Sequence, residues 1–328
     1  MYRLNGLTSL IFQLAASCLL AAQFALGQVV EQKVWQPPDA AGHIPVVTLV
    51  LSGSEPVYQQ TQAAFEQALP PGIRVHSVLY DAWRGDQSDV VVAIGAAATQ
   101  RIMASPADRH HLSILLPSNT FTKLLEQHPK AASKLAQGRL SAIFMNQPAQ
   151  RQLNLANLVV PQLRSVGTLF DNLSKSLVQE LSETAEGKGL QFQSRELLAR
   201  DNPVAVLREM YADIDLFLAV PGRYIFNRSI AKWMLYLSYR NRKPLIGFSD
   251  DYVQAGALAA VYSEPEDISR QAAEIVQSLL GSSEHLPAPQ FPKYFSVSVN
   301  RQVASRLGAK LPAPDQIVTQ LRDLEQRQ

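Results

Sequence analysis

The feature that most limits how this chain can fold is a series of short, continuous apolar stretches, each stopped by small or polar residues. Residues 46–51 read VVTLVL and stop at SGSEP, and residues 90–94 read VVVAI and stop at a glycine. A strand that is apolar at every position is built for burial on both faces, as in a parallel sheet covered by helices. Helical spacing follows each stop. Tyr58, Ala64, Phe65 and Leu69 form one stripe across residues 57–69, and another helix opens after Gly95. Further strands are expected over residues 73–80, 113–116 and 142–145. Alternating strands and helices predict parallel sheets with right-handed crossovers.

The same order then begins again. Residues 166–170, 190–198, 216–220 and 245–248 read as strands, with helices over 174–186 and 226–239. Three pairs of stretches line up. VTLVLSGS from Val47 matches VGTLFDNL from Val166, DVVVAIGA from Asp89 matches DLFLAVPG from Asp215, and SILLPS from Ser113 matches LIGFSD from Leu245. The spacing within the pairs drifts by a few residues, as insertions in surface loops produce. At roughly 100–200 residues per domain, a chain of 328 residues has room for two such units. The expected fold class is α/β, with two doubly wound parallel-sheet lobes.

Ligands of such sheets bind beyond the carboxyl ends of the strands, where strand order reverses. Candidate ligand-binding residues are therefore those that follow each strand. In the first lobe they are Ser52, Ser54, Glu55, Gly95, Ala96 and Ala97. Free amides at helix N-termini there suit a carboxylate or phosphate, although a tight strand-to-helix turn accounts for the same residues. In the second lobe they are Phe170, Asp171, Asn172, Gly222, Arg223, Tyr224, Phe248, Ser249 and Asp250. Asp250, with Asp251 beside it, suits a cationic group such as an α-ammonium, or caps a helical turn. Asp171 has the same two readings. Arg223 offers a carboxylate fork and Tyr224 a stacking face, or both are solvated loop residues. Phe170, Phe248 and Tyr252 suit the apolar walls of a pocket, or cap the core. Gln147 joins the set from the segment that links the two lobes.

Other function classes find no support. Lys and Arg number 30 against 28 Asp and Glu, for a net charge of +2, whereas nucleic-acid binding shows as a basic excess. His110 and His111 are adjacent, with no carboxylate at ligand spacing, so no metal is expected. There is no G-x-S-x-G elbow, Walker loop or G-x-G-x-x-G, and none of the six histidines stands near a motif serine. No catalytic residue and no cofactor is expected, and the chain does not read as an enzyme.

The N-terminus carries Arg3, an apolar stretch over residues 7–22, and Ala25-Leu26-Gly27 before Gln28. That is the layout of a cleaved signal peptide, residues 1–27, and it implies export; an uncleaved anchor is the alternative. No other stretch approaches the ~18 apolar residues of a membrane span. Cys18 is the only cysteine, and Ala15-Ala16-Ser17-Cys18 resembles a lipid-attachment box whose leucine sits one place too early. Cleavage after Gly27 leaves no thiol for catalysis or disulfides. Residues 28–44 are polar and proline-rich, as a linker is.

Residues 244–312 carry a family resemblance. PLIGFSDDYVQAGALAAVYSEPEDISRQAAEIVQSLL, followed by YFSVSVNRQVASRLGAKLP, resembles the C-terminal part of a bacterial family of ABC transporter substrate-binding proteins. That family has the type I periplasmic-binding fold and includes tryptophan- and tyrosine-binding members. The matching positions include Gly247, Tyr252-Val253, Gly256-Ala257-Leu258-Ala259, Asp267-Ile268, Arg270-Gln271-Ala272, Asn300 and Leu307-Gly308. Two loops depart from the pattern: SGSEPVY replaces a loop with His and Pro, and Pro221-Gly222-Arg223-Tyr224 replaces an acid followed by a small polar residue.

The resemblance implies a three-stranded hinge crossing near residues 146–148, 262–264 and 284–291. It implies lobe one from residues 45–146 with 263–284, lobe two from 147–262 with 285–312, and a helical tail over 313–328. The helix over 267–280 is expected on lobe one and the strand over 294–299 on lobe two. The implied function is a periplasmic solute-binding protein, monomeric, that takes a small-molecule ligand (amino-acid-like or another metabolite) to an inner-membrane ABC permease, with no nucleic-acid partner. The alternative is a periplasmic sensor or accessory protein that kept the fold without an import role.

Overall fold

The computed structural model describes residues 43–85, 87–107, 109–222, 225, 228–281 and 283–327. The expected signal peptide and Cys18 lie outside them, as do the candidate site residues Arg223 and Tyr224. The first sheet holds β1 (Val46–Leu51), β2 (Arg74–Leu79), β3 (Val90–Ile94), β4 (His110–Leu116) and β5 (Leu140–Phe144), all parallel, in the order β2-β1-β3-β4-β5. The second holds β6 (Ser165–Phe170), β7 (Gln191–Glu196), β8 (Leu216–Leu218), β9 (Leu245–Gly247), β10 (Ala259–Tyr262) and β11 (Ser296–Val299), in the order β11-β10-β9-β8-β6-β7. Only β11 runs antiparallel to its neighbour.

Counted from its own first strand, each sheet has the same order, second-first-third-fourth-fifth. The aligned stretches fall on equivalent strands: β1 with β6, β3 with β8, β4 with β9. A side chain repeats as well. Asp89, just before β3, accepts from the backbone N–H of Val46 at 2.8 Å; Asp215, just before β8, accepts from that of Ser165 at 3.2 Å. In both sheets an aspartate thus ties the start of the third strand to the start of the first.

Helices close the connections: α1 (Pro56–Ala68), α2 (Ala96–Met103), α3 (Ser118–Gln127), α4 (Pro129–Ala136), α5 (Ala149–Val159), α6 (Lys175–Gly187), α7 (Pro203–Asp213), α8 (Arg228–Asn241), α9 (Asp250–Gln254), α10 (Pro265–Gly281), α11 (Arg301–Arg306) and α12 (Pro314–Gln326). Proline opens α1, α4, α7 and α12, where its missing N–H costs nothing and its fixed φ suits the first turn. None of the helices among the described residues is long and apolar enough to cross a membrane. Strand β3 is buried at every position, as its unbroken apolar run requires, whereas the outer strands β2 and β7 are largely exposed. Charged residues such as Arg74, Arg195 and Glu196 keep those edges in water.

Helix α10 packs on the first sheet, where Ile268, Ala272, Ala273 and Val276 join Val47, Leu49, Ile94 and Ile114 in one core. Residues 286–290 run along β5: the Leu286 N–H donates to Gly138 O at 2.7 Å and the Gln290 N–H to Ala142 O at 2.9 Å. Pairing to the first sheet thus extends to residue 290, which puts the third crossing at the end of the 284–291 span that the resemblance implied.

A buried network joins the crossings. Gln147 Nε2 donates to Ser263 Oγ at 2.9 Å, and Ser263 Oγ donates to the Tyr294 carbonyl at 2.6 Å. Arg151 donates to Gln147 Oε1 at 2.6 Å, to the Pro292 carbonyl at 2.9 Å, and to both carboxylate oxygens of Glu325 at 2.5 and 3.0 Å. Glu325 belongs to α12, so residues 314–326 form a docked helix rather than a free tail. Ile317 and Leu321 of α12 are fully buried among Leu153, Val261 and Val297 of the second lobe. Leu321→Ala should cost about 2–5 kcal/mol of stability, the usual range for a buried leucine, read as a lower urea midpoint with an unchanged slope. Loss of the last turn of α12 should also unpair Arg151 and lower the melting temperature.

Candidate functional site

The parallel strands within each sheet carry their loops at one end, and the segment after β4 of the first lobe meets the segment after β6 of the second. In the first lobe, β1 and β3 flank the reversal of strand order. Ser52, at the tip of β1, is half-buried, and its Oγ accepts the Ala98 N–H at 2.9 Å, so it caps α2 from another loop. Gly95 turns the chain from β3 into α2 at φ +92°, where a Cβ would lie 2.6 Å from Ser52 Oγ and 2.8 Å from Tyr58 Cε1. Only glycine fits both the backbone angle and the space. Ala96 is exposed and Ala97 half-buried at the start of α2, facing the same side. Ser54 and Glu55 are exposed; Glu55 is the N-cap residue of α1, and its carboxylate folds over Gly53. Burial and then the Glu55 charge raise the Tyr58 hydroxyl pKa.

The second lobe repeats this reversal between β6 and β8. Asp171 stands where Ser52 stands in the first lobe. It is turned inward, 1% exposed, and its Oδ1 accepts the N–H groups of Leu173 and Ser174 at 3.0 and 3.1 Å and the Ser174 hydroxyl at 3.0 Å. Asp171 therefore closes the turn that leads into α6, whose N-cap residue is Ser174. Its carboxylate also fills the space beside Gly222, where a Cβ would lie 2.9 Å from Oδ2. Phe170 is half-buried and Asn172 exposed on the open side.

Beyond β9, Phe248 and Tyr252 bring their rings to 4.8 Å. Ser249 is the N-cap residue of α9, with Asp250 and Asp251 in the first turn. The cap expected of an aspartate thus moves one residue earlier, because Ser249 has the extended backbone a cap needs. The two acids instead lie where a helix N-terminus favours negative charge. Asp250 accepts from Ser298 on β11 and from Gln254, and Ser298 Oγ also lies 3.0 Å from the Tyr262 hydroxyl at the end of β10.

Five carboxylates, Asp250, Asp251, Glu264, Glu266 and Asp267, share this corner between α9 and the second crossing. Burial first, then the other four acids, raise the Glu264 pKa. Burial alone pushes the Tyr252 hydroxyl up to about 12.

The two lobes touch directly at two further tips. Asn119, at the start of α3 after β4, donates to the Leu173 carbonyl after β6. Around this contact lies an open cavity of about 550 Å³, bounded by Ser118 and Asn119 from one lobe, Asn172 and Lys175 from the other, and Phe291 of the hinge. Ser118 and Asn119 were not among the sequence candidates, although the alignment of SILLPS with LIGFSD pairs Ser118 with Asp250 and could have found them. Gln147 is a correction of another kind: it is 5% exposed and both ends of its amide are used inside the hinge, so it holds the lobes together and is not a free cleft wall. Larger hollows, about 1200 and 730 Å³, lie at the opposite ends of the second lobe's strands. α/β sheets hold ligands at the carboxyl ends, which makes the tips the candidate site.

Two α/β lobes on a hydrogen-bonded hinge, with strand tips converging on a shared cavity, define a two-lobe binding protein. The sequence matches the family of ABC transporter substrate binding proteins over residues 78–320, and the chain belongs to that family. No curated protein matches it in sequence. Among solved structures, it is similar to the ligand-free, open structure of a substrate binding protein with adhesive properties from Clostridium difficile. The TM-score is 0.66 at 16% identity, over 82% of this chain and 97% of the other. It is also similar to a conserved domain protein of Vibrio cholerae O1 biovar El Tor (TM-score 0.58, 16% identity, 84% and 98% covered). A third is an ABC domain from Streptococcus pneumoniae in complex with L-Trp (TM-score 0.57, 16% identity, 83% and 98% covered). These similarities carry the fold.

Two predictions follow from the tip geometry. Gly95→Ala should lower stability by about 1–3 kcal/mol through left-handed strain and the clash with Ser52, whereas Gly187→Ala, with open space around its Cβ, should be neutral or mildly stabilising. Chemical denaturation of the two variants compares them. Because Tyr252 keeps its proton to about 12 when folded but sheds it near the ordinary value of 10.0 when unfolded, its contribution is complete below pH 10 and is lost as pH rises towards 12. Tyr252→Phe should flatten that part of the stability–pH curve; the more deeply buried Tyr211, also raised, should retain the rest.

Proposed function

We propose that this chain is an exported, periplasmic solute-binding protein of an ABC import system, whose lobes close on a small amino-acid-like ligand. The observation that carries the reading is the meeting of strand tips from both lobes around one cavity, at Asn119 and Leu173, beside a hinge of three crossings. A ligand that contacts both lobes only in the closed form shifts the population towards it, and a permease can read that shift. Lobe one is proposed as residues 45–146 with 263–290, and lobe two as 147–262 with 291–327, since residues 286–290 pair with β5 and α12 packs in the second lobe's core. The proposed wall draws on Ser54, Glu55, Ala96, Ala97, Phe170, Asn172, Gly222, Phe248, Ser249 and Asp250, with Arg223 and Tyr224 on the same loop as Gly222.

Five carboxylates around Tyr262 and α9 favour a ligand with a cationic group, and the Phe248–Tyr252 ring pair favours an apolar or aromatic body. The α2 N-terminus suits its carboxylate, although Ser52 already occupies one amide there. Ser52 and Asp171 are both engaged by groups of their own lobes, Ser52 by α2 and Asp171 by the turn that follows it. That favours the second reading, a sensor or accessory protein that keeps the fold without import. The reading as a binding protein rather than an enzyme rests on family membership.

Calorimetry and thermal melting with a panel of amino acids and related cations test this, starting with aromatic amino acids because of the L-Trp complex named above. One ligand should raise the melting temperature, and small-angle scattering should show a smaller particle. Asp250→Asn or Phe248→Ala should weaken binding at least tenfold in protein that is still folded at the assay temperature. Both should also lower the melting temperature of the free protein, because Asp250 accepts from Ser298 and Phe248 packs on the core. A panel that leaves melting and particle size unchanged would overturn the import reading and leave the accessory role.

A further inference from the structure

At the N-terminal ends of the second sheet's strands, opposite the proposed cleft, lies the hollow of about 1200 Å³. Its lining includes Arg164, Arg242, Lys243, Arg306 and Lys310, with Asp215 as its only acid. The neighbouring hollow of about 730 Å³ shares Arg242 and Arg306 and adds Arg240, Tyr236 and Tyr239. Against a net charge of +2 for the entire chain, the cations are concentrated here. Asp215 does little to neutralise them. Its Oδ2 already accepts two backbone N–H groups, and it stands 3.9 Å from both Arg164 and Lys243. Among the described residues, no carboxylate lies within ion-pair distance of Arg242, Arg306 or Lys310.

Aromatic rings continue the same surface. Helix α8 buries Ile230, Met234 and Leu237 on one side and exposes Trp233, Tyr236 and Tyr239 on the other, at 38%, 47% and 62%. Trp233 meets Tyr236 edge-on at 5.6 Å, and the Arg306 guanidinium lies over the Tyr239 ring at 5.3 Å. The rings and cations therefore form one connected patch. Folding explains the buried side of α8 and leaves three large rings in water.

We propose that this patch binds the anionic surface of a phospholipid bilayer. Exposed lysines and arginines attract lipid phosphates within a Debye length, and tryptophan and tyrosine prefer the boundary between headgroups and acyl chains. The rings separate this occupant from a free anion. A soluble phosphate would use the cations alone, and here the cations are spread over two joined hollows rather than converging on one point. Because the patch and the strand tips lie at opposite ends of the sheet, lipid contact leaves the cleft open. The proposal does not depend on the ligand reading.

Sedimentation of the full chain with vesicles tests it. Binding should be strong to phosphatidylglycerol-containing vesicles, absent on pure phosphatidylcholine, and reduced at high salt. The combined variant R242E/R306E/K310E should lose at least tenfold in affinity, and R242Q/R306Q/K310Q should lose an intermediate amount. W233A/Y236A should weaken binding with the charge unchanged. All variants share the same N-terminal apolar segment, so differences among them report on the patch. Equal retention of wild type and both charge variants would overturn the proposal, as would equal binding to neutral vesicles. Inorganic phosphate that displaces the protein from vesicles and raises its melting temperature through Arg242 would also overturn it, in favour of a small-anion site.

Discussion

Arg151 is a cation with almost no access to water, and the relative placement of the two lobes rests on how it is satisfied. A buried guanidinium is tolerated only when its donors are met by well-placed acceptors. Here they are met by Gln147 from the first crossing, Pro292 from the third and Glu325 from the last helix, with the Phe295 ring 3.9 Å from its carbon. Gln147 then carries the network to Ser263 in the second crossing, and Ser263 to Tyr294. Segments distant in sequence are thus bound together at one point between the lobes.

From that junction, parallel pairing does the rest. Strands that run the same way deliver their carboxyl ends to one side, where the loops carry most of the polar side chains a ligand could meet. In each lobe a small or acidic residue follows the first strand and a glycine lies against it: Ser52 with Gly95, Asp171 with Gly222. The close approach admits no side chain at the glycine. The same geometry that builds the loops therefore uses up some of the groups that a ligand might otherwise have contacted.

Much of the fold is legible in the chain. Strands β1 and β3 coincide with their apolar runs, because burial on both faces writes itself into every position. Strands β8 and β9 are shorter than their runs, and past β8 the residues Ala219 and Val220 stay buried, so their apolar character reflects burial rather than strand length. Helices α3, α4, α5 and α7 were not visible as such. Stretches such as SNTFTKLLEQ place few apolar residues against the sheet, and their stripe emerges only once the neighbouring strand is known. The candidate site was legible as a set of strand tips, but not in its membership. Nothing local marks Asn119 as the residue that reaches the other lobe, or Gln147 as one whose amide is spent within the hinge.

What the sequence alone determined is the alternation of buried strands and helices, its repetition in the same order, and the family motifs near the C-terminus, because these follow from periodicity and from residues adjacent in the chain. Tertiary structure alone decided which polar groups remain available. Hydrogen-bond partners such as Ser52 and Ala98, Asp250 and Ser298, or Arg151 and Glu325 are separated by tens of residues or more. Whether a polar side chain faces a ligand or a neighbouring amide depends on where the folded backbone brings its nearest partner.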